Sequence, residues 1–473
     1  MNKSIVTVSA LIGWIAAVAC AAGQAIEPTP TTTSANKPAT TAAPAAAVQA
    51  PKPERVAALG PFPGHVDVNS ARIWARPDKA GPVVLWVVDG EGKWSWHGDG
   101  GADPAHDQCV VWDVPGLKPA TRYWFCLRSI AGEKPPAMSE GGFGFFTTAP
   151  EAGVPAKASI MFGSCIGDPL DQAQPIWTEV ARQRPDAICL IGDTPYIDTT
   201  DLDKQRKKYR ELFGVPELIA LRRTTPMYGV WDDHDFGKND TDGNLKGKDR
   251  SRKAFMEYHP NNPTGSGDGA GENGAGVYSR FRRGPVEVFL IDARWFSGTE
   301  SSWADPSRPT LIGAQQAEWL KRELKASTAP FKLLVTGMIW NESARPNKND
   351  YWGGYLHERA ALWKWIGEQR VPGVVLIAGD IHRSRALKHS AATSGAGYPL
   401  YEFISSPMGS GVHANANVPH PALLWDAGQP RCFAIVTADS TVTPPKLTAR
   451  WITDAGEELH KVEISESELR SAP

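Results

Sequence analysis

Side chains that can bind metal ions or move protons follow directly after short apolar runs in the middle of the chain. They are Cys165, Asp193, Tyr196, Asp232, Asp233, His234, Asp380 and His382. In α/β folds the carboxyl ends of strands converge on one rim, and ligands bind there. If the apolar runs are strands, these side chains meet at one site. Their thiol, phenol, carboxylate and imidazole groups predict a cluster of roughly two or three cations.

Cys165 and Tyr196 bear on which metal such a site would hold. A thiolate is a soft ligand that suits a transition metal better than Mg²⁺ or Ca²⁺, and a phenolate oxygen beside it suits a ferric-type ion. Each residue has another interpretation, because free cysteines are often buried and a tyrosine can be a core aromatic. Cys165 follows Gly-Ser at a predicted strand end, which favours a position in a site.

Carboxylates and histidines supply the remaining donors. Asp232, Asp233 and Asp235 lie within four residues and repel one another unless a cation neutralises them; exposed surface charges are the alternative. Asp380 and His382 alternate past an apolar run, so their side chains face one side. These residues therefore extend the predicted cluster at the same rim.

The loop after residue 236 adds one further candidate ligand, Asn239, which is close to His234 in sequence. A flexible surface loop is the default interpretation for most of this Gly-, Asn- and Asp-rich stretch. It is not an EF-hand, because Leu245 occupies the obligatory glycine position. The chain also has no P-loop, dinucleotide fingerprint or Gly-x-Ser-x-Gly elbow. A formal net charge of −2 favours neither nucleic acid nor an anionic membrane, so no specific nucleic-acid recognition is expected.

Two segments of different character must position these residues. Residues 55–150 have the pattern of an all-β sandwich, with strand-like runs bounded by Pro and Gly at 72–76, 83–88, 109–112 and 123–125. From about residue 157 strands alternate with helices. The predicted strands are 159–162, 187–191, 227–231, 286–291, 332–336, 374–378, 400–404 and 434–436, and the predicted helices are 176–183, 315–324 and 357–368. The chain is therefore predicted to be multidomain.

The amino-terminal region has the pattern of an export signal. Residues 1–25 combine Lys3 with an apolar run and small residues, which predicts a signal peptide. An uncleaved anchor helix is the alternative, and Cys20 is a possible lipid-anchor position. Residues 26–54 are rich in Ala, Pro and Thr and are predicted to be a linker. No other stretch is long and apolar enough to span a membrane. We expect a periplasmic, cell-envelope or extracellular protein.

The cysteine count leaves at least one thiol for another purpose. Of six cysteines, Cys20 leaves the mature chain or carries lipid, so an odd number remains. Cys109 and Cys126 lie on strand-like runs and are candidates for a disulfide, with two buried thiols as the alternative. Cys165 is a candidate for the unpaired thiol.

These motifs, in this order, resemble the alkaline phosphatase D (PhoD-like) family of the metallophosphatase superfamily. The matching stretches are Gly163–Cys165, Gly192–Asp198, Trp231–Asp235, Ile291–Arg294, Gln315–Leu320, Trp352–Tyr355 with Glu358–Arg359, and Gly379–His382. The amino-terminal segment resembles a fibronectin type III domain, because Leu117, Pro119, Thr121 and Tyr123 match its tyrosine corner, in which a hydroxyl bonds back to the turn backbone.

The resemblance implies a four-layer α/β/β/α metallophosphatase domain over residues 155–455, followed by a carboxyl-terminal tail over 456–473. It implies hydrolysis of phosphate monoesters or diesters, small or polymeric, by a metal-bound hydroxide in in-line attack. It further implies Fe³⁺ held by Cys165, Asp193 and Tyr196, with Ca²⁺ beside it. Asp380 and His382 would complete the cluster.

Three further roles follow from the same resemblance. Asp233 takes a position where the superfamily has an Asn ligand, with Asn239 as a rival. His234 would be the catalytic residue. Arg294 would hold a substrate phosphate oxygen, with a structural ion pair as the alternative. A different class of function remains open, a cell-surface binding protein on an inactive phosphatase scaffold.

Overall fold

The computed structural model describes residues 57–129, 137–138, 142–167, 172–262, 274–344 and 347–471. The predicted signal peptide, the linker and Cys20 lie outside these residues. Within them, no helix is both long and apolar enough to cross a membrane.

Two antiparallel sheets form the amino-terminal part of the described chain. The first contains β1 (Ala57–Val66), β2 (Ser70–Pro77) and β5 (Val110–Pro115), and the second has the order β4 (Trp94–Ala102), β3 (Gly81–Asp89), β6 (Arg122–Ser129) and β7 (Gly144–Thr147). Alternate residues of the facing strands, such as Ile73, Leu85 and Phe125, are buried in one shared core. This is the period expected for strands with one face on a core.

The corner predicted before β6 is present. The Lys118 backbone N–H donates to the Tyr123 hydroxyl at 2.8 Å, which is the hydroxyl-to-turn bond that the sequence pattern predicted. The predicted Cys109–Cys126 disulfide is wrong, because both residues keep their thiols. Cys109 precedes β5 in one sheet, whereas Cys126 lies on β6 in the other. Cys126 contacts the cluster of Val84 and Trp86, on the side of the sheet opposite the shared core.

Two mixed sheets form the rest of the chain. One has the order β10 (Met227–Val230), β9 (Ala187–Ile191), β8 (Lys157–Gly163), β18 (Cys432–Asp439), β19 (Lys446–Thr453) and β20 (Glu458–Ser465). The other has the order β11 (Ser279–Arg283), β12 (Val286–Leu290), β13 (Phe331–Val335), β14 (Val374–Ala378), β16 (Leu400–Ile404), β15 (Ser384–His389) and β17 (Leu423–Ala427). The predicted strands of this region are confirmed.

In the part of the chain that the structure describes, eight α-helices accompany these strands. They are α1 (Pro175–Gln183), α2 (Leu202–Phe213), α3 (Pro216–Arg222), α4 (Asp233–Phe236), α5 (Lys248–Tyr258), α6 (Gly313–Ala326), α7 (Leu356–Glu368) and α8 (Ala391–Ser394). The prediction of α1, α6 and α7 is confirmed within a few residues. Shorter helical turns of the 3₁₀ type are also present.

Each mixed sheet has a parallel part whose residues are all buried except Lys157 and Ser159 of β8. In one sheet β8, β9 and β10 run parallel, and in the other β12, β13, β14 and β16 do. Parallel strands buried on both faces read as continuous apolar runs rather than as an alternation. For that reason the sequence predicted them well, and their carboxyl ends carry the candidate ligands.

Within the predicted tail over 456–473, residues Glu458–Ser465 form β20. β20 pairs along its length with β19, so the sheet extends beyond residue 455. β20 is an edge strand whose residues alternate between polar and apolar types, and this weak pattern did not distinguish it from a solvated tail.

Candidate metal centre

One cavity of about 80 Å³ is lined by five of the predicted site residues, Asp193, His234, Asn239, Asp380 and His382. Its lining is formed by Asp193, His234, Asn239, Lys348, Asp380, Ile381, His382, His413 and Ala416. Close backbone packing holds the strand ends together here. A Cβ added to Gly192, which has a φ of +98°, would lie 2.4 Å from the Asp232 Cβ, so only glycine fits before Asp193.

The first ligand group combines Cys165, Asp193 and His382, whose donor atoms all lie within 4.8 Å of one another. The Cys165 Sγ is 3.5 Å from the Asp193 Oδ2. The His382 Nδ1 is 2.5 Å from the Gly411 carbonyl oxygen, which can only accept, so Nδ1 carries the proton. The Nε2 lone pair then faces the Tyr196 hydroxyl at 2.8 Å. A metal-binding histidine is held in this way.

The second ligand group contains Asp193 again, with Asp233 and His234. Asp193 is therefore common to both groups. The His234 Nδ1 lies 2.6 Å from the Asp198 Oδ1, and its ring lies 4.3 Å from the Tyr196 ring between centroids. The Asp233 Oδ2 accepts from the Asp240 backbone N–H at 2.7 Å. This geometry fixes both side chains at the cavity.

Burial opposes ionisation of the shared ligands. Burial raises the pKa of Cys165 to about 12, and burial together with the Cys165 and Asp233 charges raises the pKa of Asp193 well above its usual range. The Asp380 Oδ2 is buried, and no described residue offers it a hydrogen bond. Such groups ionise readily only beside a cation. The donor set therefore fits bound metal ions.

Four of the candidate ligands have a left-handed backbone. The φ angles are +58° at Cys165, +54° at Asp193, +67° at Asp380 and +52° at His382. Asp and His tolerate this region better than most residues, whereas it is unusual for Cys. Backbone strain of this kind clusters at functional sites. The conformation turns each side chain off its strand end and toward the cavity.

The acidic run after β10 divides into three different roles. Asp232 pairs with Arg294, and Asp233 belongs to the second ligand group. Asp235 accepts the Asp232 backbone N–H at 2.6 Å and closes the first turn of α4. Burial raises the pKa of Asp235 to about 8. The alternative interpretation as exposed surface charges is wrong, because these carboxylates are about 1% exposed.

Arg294 does not line the cavity. Its side chain is 1% exposed, and it pairs with Asp232 at 2.6 Å and with Asp350 at 2.7 Å. Two buried carboxylates fix its guanidinium behind the site. The prediction that it binds a substrate phosphate is therefore corrected in favour of the structural ion pair.

Lys348 is a cavity residue that the sequence did not indicate. Its Nζ lies 3.1 Å from Asp240, 3.2 Å from Asp350 and 3.2 Å from Asp380. Burial alone would lower the pKa of Lys348, but the Asp380 and Asp350 charges raise it overall. Lys348 lies in a polar loop rather than after an apolar strand, so no periodic signal marked it.

A family model for PhoD-like phosphatases matches residues 160–423, more than half of the chain. The chain belongs to the PhoD-like phosphatase family. A curated relative, alkaline phosphatase D of Bacillus subtilis (strain 168), is 24% identical over 389 residues. That match covers 69% of this chain and 64% of the relative's length.

Solved structures of two phosphatases share the fold. A structure of PhoD matches with a TM-score of 0.67 and 18% identity, over 87% of this chain and 92% of that one. Purple acid phosphatase PPD1 from yellow lupin (Lupinus luteus) seeds matches with a TM-score of 0.63 and 12% identity, over 86% and 74%.

Two lining residues complete the description of the cavity. Asn239, predicted as a ligand, is exposed at the rim. His413 was not predicted, and its ring lies 4.2 Å from the His382 ring between centroids. His413 lies in the loop after β16, where no strand end precedes it. A histidine in such a loop has no spacing that would distinguish it from a surface residue.

Proposed function

We propose that this member of the PhoD-like family hydrolyses phosphate esters at a metal cluster in the cavity. The observation that carries the proposal is the position of Asp193. Its carboxylate belongs to two ligand groups at once, which is what a bridging ligand between adjacent ions requires. The side chain that would assist proton transfer, His234, belongs to the second of these groups.

The proposed ions are Fe³⁺ held by Cys165, Asp193 and Tyr196, and Ca²⁺ held by the carboxylates beside it. Asp233, Asn239, Asp380 and His382 would complete their coordination. When bound, such ions polarise phosphoryl oxygens and lower the pKa of water, which supplies a hydroxide for in-line attack. Thiolate and phenolate donors favour the ferric ion, and carboxylate and amide oxygens favour calcium.

His234 is proposed to protonate the leaving oxygen. Asp198 accepts the Nδ1 proton at 2.6 Å, so the other ring nitrogen, Nε2, is the one that can exchange a proton with substrate. The Asp198 carboxylate in this position also holds the imidazole ring in one orientation. The transfer leaves a neutral imidazole that stays hydrogen-bonded to Asp198. The same Nε2–H can stabilise charge on a phosphoryl oxygen.

Several finer features of the protein belong to the same proposal. We propose a four-layer α/β/β/α arrangement for residues 155–455, a fibronectin type III-like relationship for the amino-terminal sandwich, and export directed by residues 1–25. The fibronectin type III-like relationship rests on the Tyr123 corner.

Intact-mass analysis tests export, because a mature protein that still begins at Met1 or Asn2 contradicts it. The same measurement detects a lipid on Cys20.

The function is tested with a chromogenic phosphate monoester and its bis-ester analogue, side by side, with added Fe³⁺ and Ca²⁺. Hydrolysis of either is expected, and the ratio separates monoesterase from diesterase activity. Asp193→Asn should abolish it, whereas the matched exposed variant Asp305→Asn should not. Metal-loaded protein that cleaves neither substrate contradicts the proposal and favours the binding-protein alternative.

The identity of the ferric ion has its own test. A thiolate or phenolate bound to Fe³⁺ gives a purple or brown charge-transfer absorption. We expect this absorption to weaken in Cys165→Ser and in Tyr196→Phe, together with most of the iron and most of the activity. Full iron and full activity in Cys165→Ser would show that the ferric assignment is wrong.

A further inference from the structure

A third group of carboxylates lies beside the two ligand groups. Asp233, Asp240 and Asp350 each offer an oxygen, and these oxygens lie within 4.8 Å of one another. Its carboxylates alone would suit a hard divalent cation as well as the ligand group of Asp193, Asp233 and His234 does. Its surroundings, however, differ from those of the other two groups.

The ammonium group of Lys348 is placed among these carboxylates. Its Nζ is 3.1 Å from the Asp240 Oδ1, 3.2 Å from the Asp350 Oδ2 and 3.2 Å from the Asp380 Oδ1. The side chain is 2% exposed. An ammonium group has three N–H donors, and three carboxylate oxygens surround this one. The ammonium group donates hydrogen bonds to Asp240 and Asp350 and forms an ion pair with Asp380.

Arg294 adds a second positive charge to the same group. Its Nη1 lies 2.7 Å from the Asp350 Oδ2, and its Nη2 lies 3.7 Å from the Asp233 Oδ2. A divalent ion bound here would be in contact distance of two fixed cations. Like charges at this separation repel strongly in a buried site.

The shared ligand Asp193 has the opposite surroundings. Among the described residues, no Lys or Arg nitrogen lies within 4.0 Å of its carboxylate. Its close partners are the Cys165 thiol and the His234 backbone N–H. Buried carboxylates without a cation are unfavourable, so this side of the cavity needs an ion from solution and the Lys348 side does not.

We infer that Lys348 is a built-in cation that takes the place of a metal ion at the third carboxylate group. The chain then binds metal at two groups, which share Asp193, and not at the third. This inference rests on the proposed function, because it concerns the same cavity. It assigns Lys348 a positioning role, in which it holds Asp240, Asp350 and Asp380 in place without touching substrate.

The test is a count of metal ions in purified protein equilibrated with Fe³⁺ and Ca²⁺ and then desalted. Lys348→Met keeps most of the side-chain length and removes the charge. We expect this variant to bind about one more Ca²⁺ per chain than the wild type, with a thermal midpoint that rises as Ca²⁺ is added. Lys348→Arg keeps the charge and should leave the count unchanged. Lys364→Met, an exposed lysine on α7, is the matched control.

Two results would overturn the inference. One is an unchanged Ca²⁺ count in folded Lys348→Met. The other needs no variant: crystals of the wild type soaked in Mn²⁺ would show an anomalous peak between Asp233, Asp240 and Asp350. Absence of that peak, with peaks at the other two groups, supports the inference even if Lys348→Met does not fold. A wild type that binds no metal at all contradicts both the proposed function and this inference, whereas a third ion in an active enzyme contradicts this inference alone.

Discussion

The two sides of the cavity hold similar carboxylates but differ in how their charge is balanced. On one side, Asp193 lies beside a thiol and other acids. On the other, Asp232 and Asp350 are paired with Arg294 and Lys348 at 2.6–3.2 Å. One side is thus incomplete until an ion binds, and the other is complete within the chain. Substitutions on the first side should change metal content and catalysis, and substitutions on the second should change stability.

The largest effect is expected from Asp193→Asn, which keeps the shape of the side chain and removes the charge common to two ligand groups. Each ion contributes several kcal/mol to the transition state, so losing two should lower the rate by about 10⁴-fold. Elemental analysis and initial rates on one preparation test this. The thermal midpoint of chelated protein should not fall. Unchanged metal content would show that the two sides do not differ as described.

His234→Ala should lower the rate by about 10²–10⁴-fold with metals retained, if His234 transfers a proton. The loss should be smaller for a nitrophenyl ester than for an alkyl ester, whose leaving oxygen is more basic. Equal losses on both substrates, with metals retained, would indicate charge stabilisation instead. Metal loss in proportion to activity would make His234 a ligand.

Arg294→Met should act on stability. It leaves Asp232 and Asp350 buried without their guanidinium partner, which costs about 3–5 kcal/mol of unfolding free energy. Denaturant unfolding measures this loss, and metal content per folded molecule should stay the same. In the double variant Arg294→Met with Asp232→Asn, the loss of unfolding free energy should be smaller than the sum of the losses in the two single variants. Full additivity would mean that the pair is not coupled.

Asp198→Asn should have an intermediate effect. Partners that orient a functional histidine typically contribute 10–100-fold, so the rate should fall by about that factor because the imidazole ring is held less firmly. Initial rates and their pH profile are the measurements. The matched control is Asp201→Asn on the same loop. Asp201 accepts the Lys204 backbone N–H at the start of α2, and asparagine is an equally good cap. A changed pH profile in the control would weaken the assignment.

The smallest effect is expected outside the cavity. Lys207 and Glu211 form an exposed pair one turn apart on α2, at 3.0 Å. Lys207→Ala should change the unfolding free energy by about 0.3–0.5 kcal/mol. Activity should not change. A larger loss would mean that ion pairs far from the cavity matter as much as the Arg294 pair.

The sequence predicted the strands that end at the cavity because they are buried on both faces and read as unbroken apolar runs. It therefore predicted that Cys165, Asp193 and Asp380 lie close together, as they do in the structure. It did not locate Lys348 or His413, which reach the cavity from loops with no periodic pattern. Arg294 shows a second limit of the sequence analysis. An arginine after a strand can bind substrate or pair with a buried carboxylate, and the sequence alone does not distinguish these two roles.

Weak sequence patterns explain the other predictions that differ from the structure. β20 was predicted as a tail because an edge strand has one solvated side. The Cys109–Cys126 disulfide was predicted wrongly because the sequence does not show that the two residues lie at strands of different sheets. Conversely, Tyr123 was predicted well, since its hydroxyl and the turn that it bonds lie within a few residues.

The left-handed backbone at Cys165, Asp193, Asp380 and His382 has a consequence for how this chain could change over generations. Glycine adopts such angles at little cost, whereas a side chain there can cost on the order of 1–3 kcal/mol. A lineage with no need for a ligand at this position could relieve the backbone strain by replacing Cys165 with glycine. Retention of the thiol at that position is thus a marker by which working and decayed copies of this chain can be told apart.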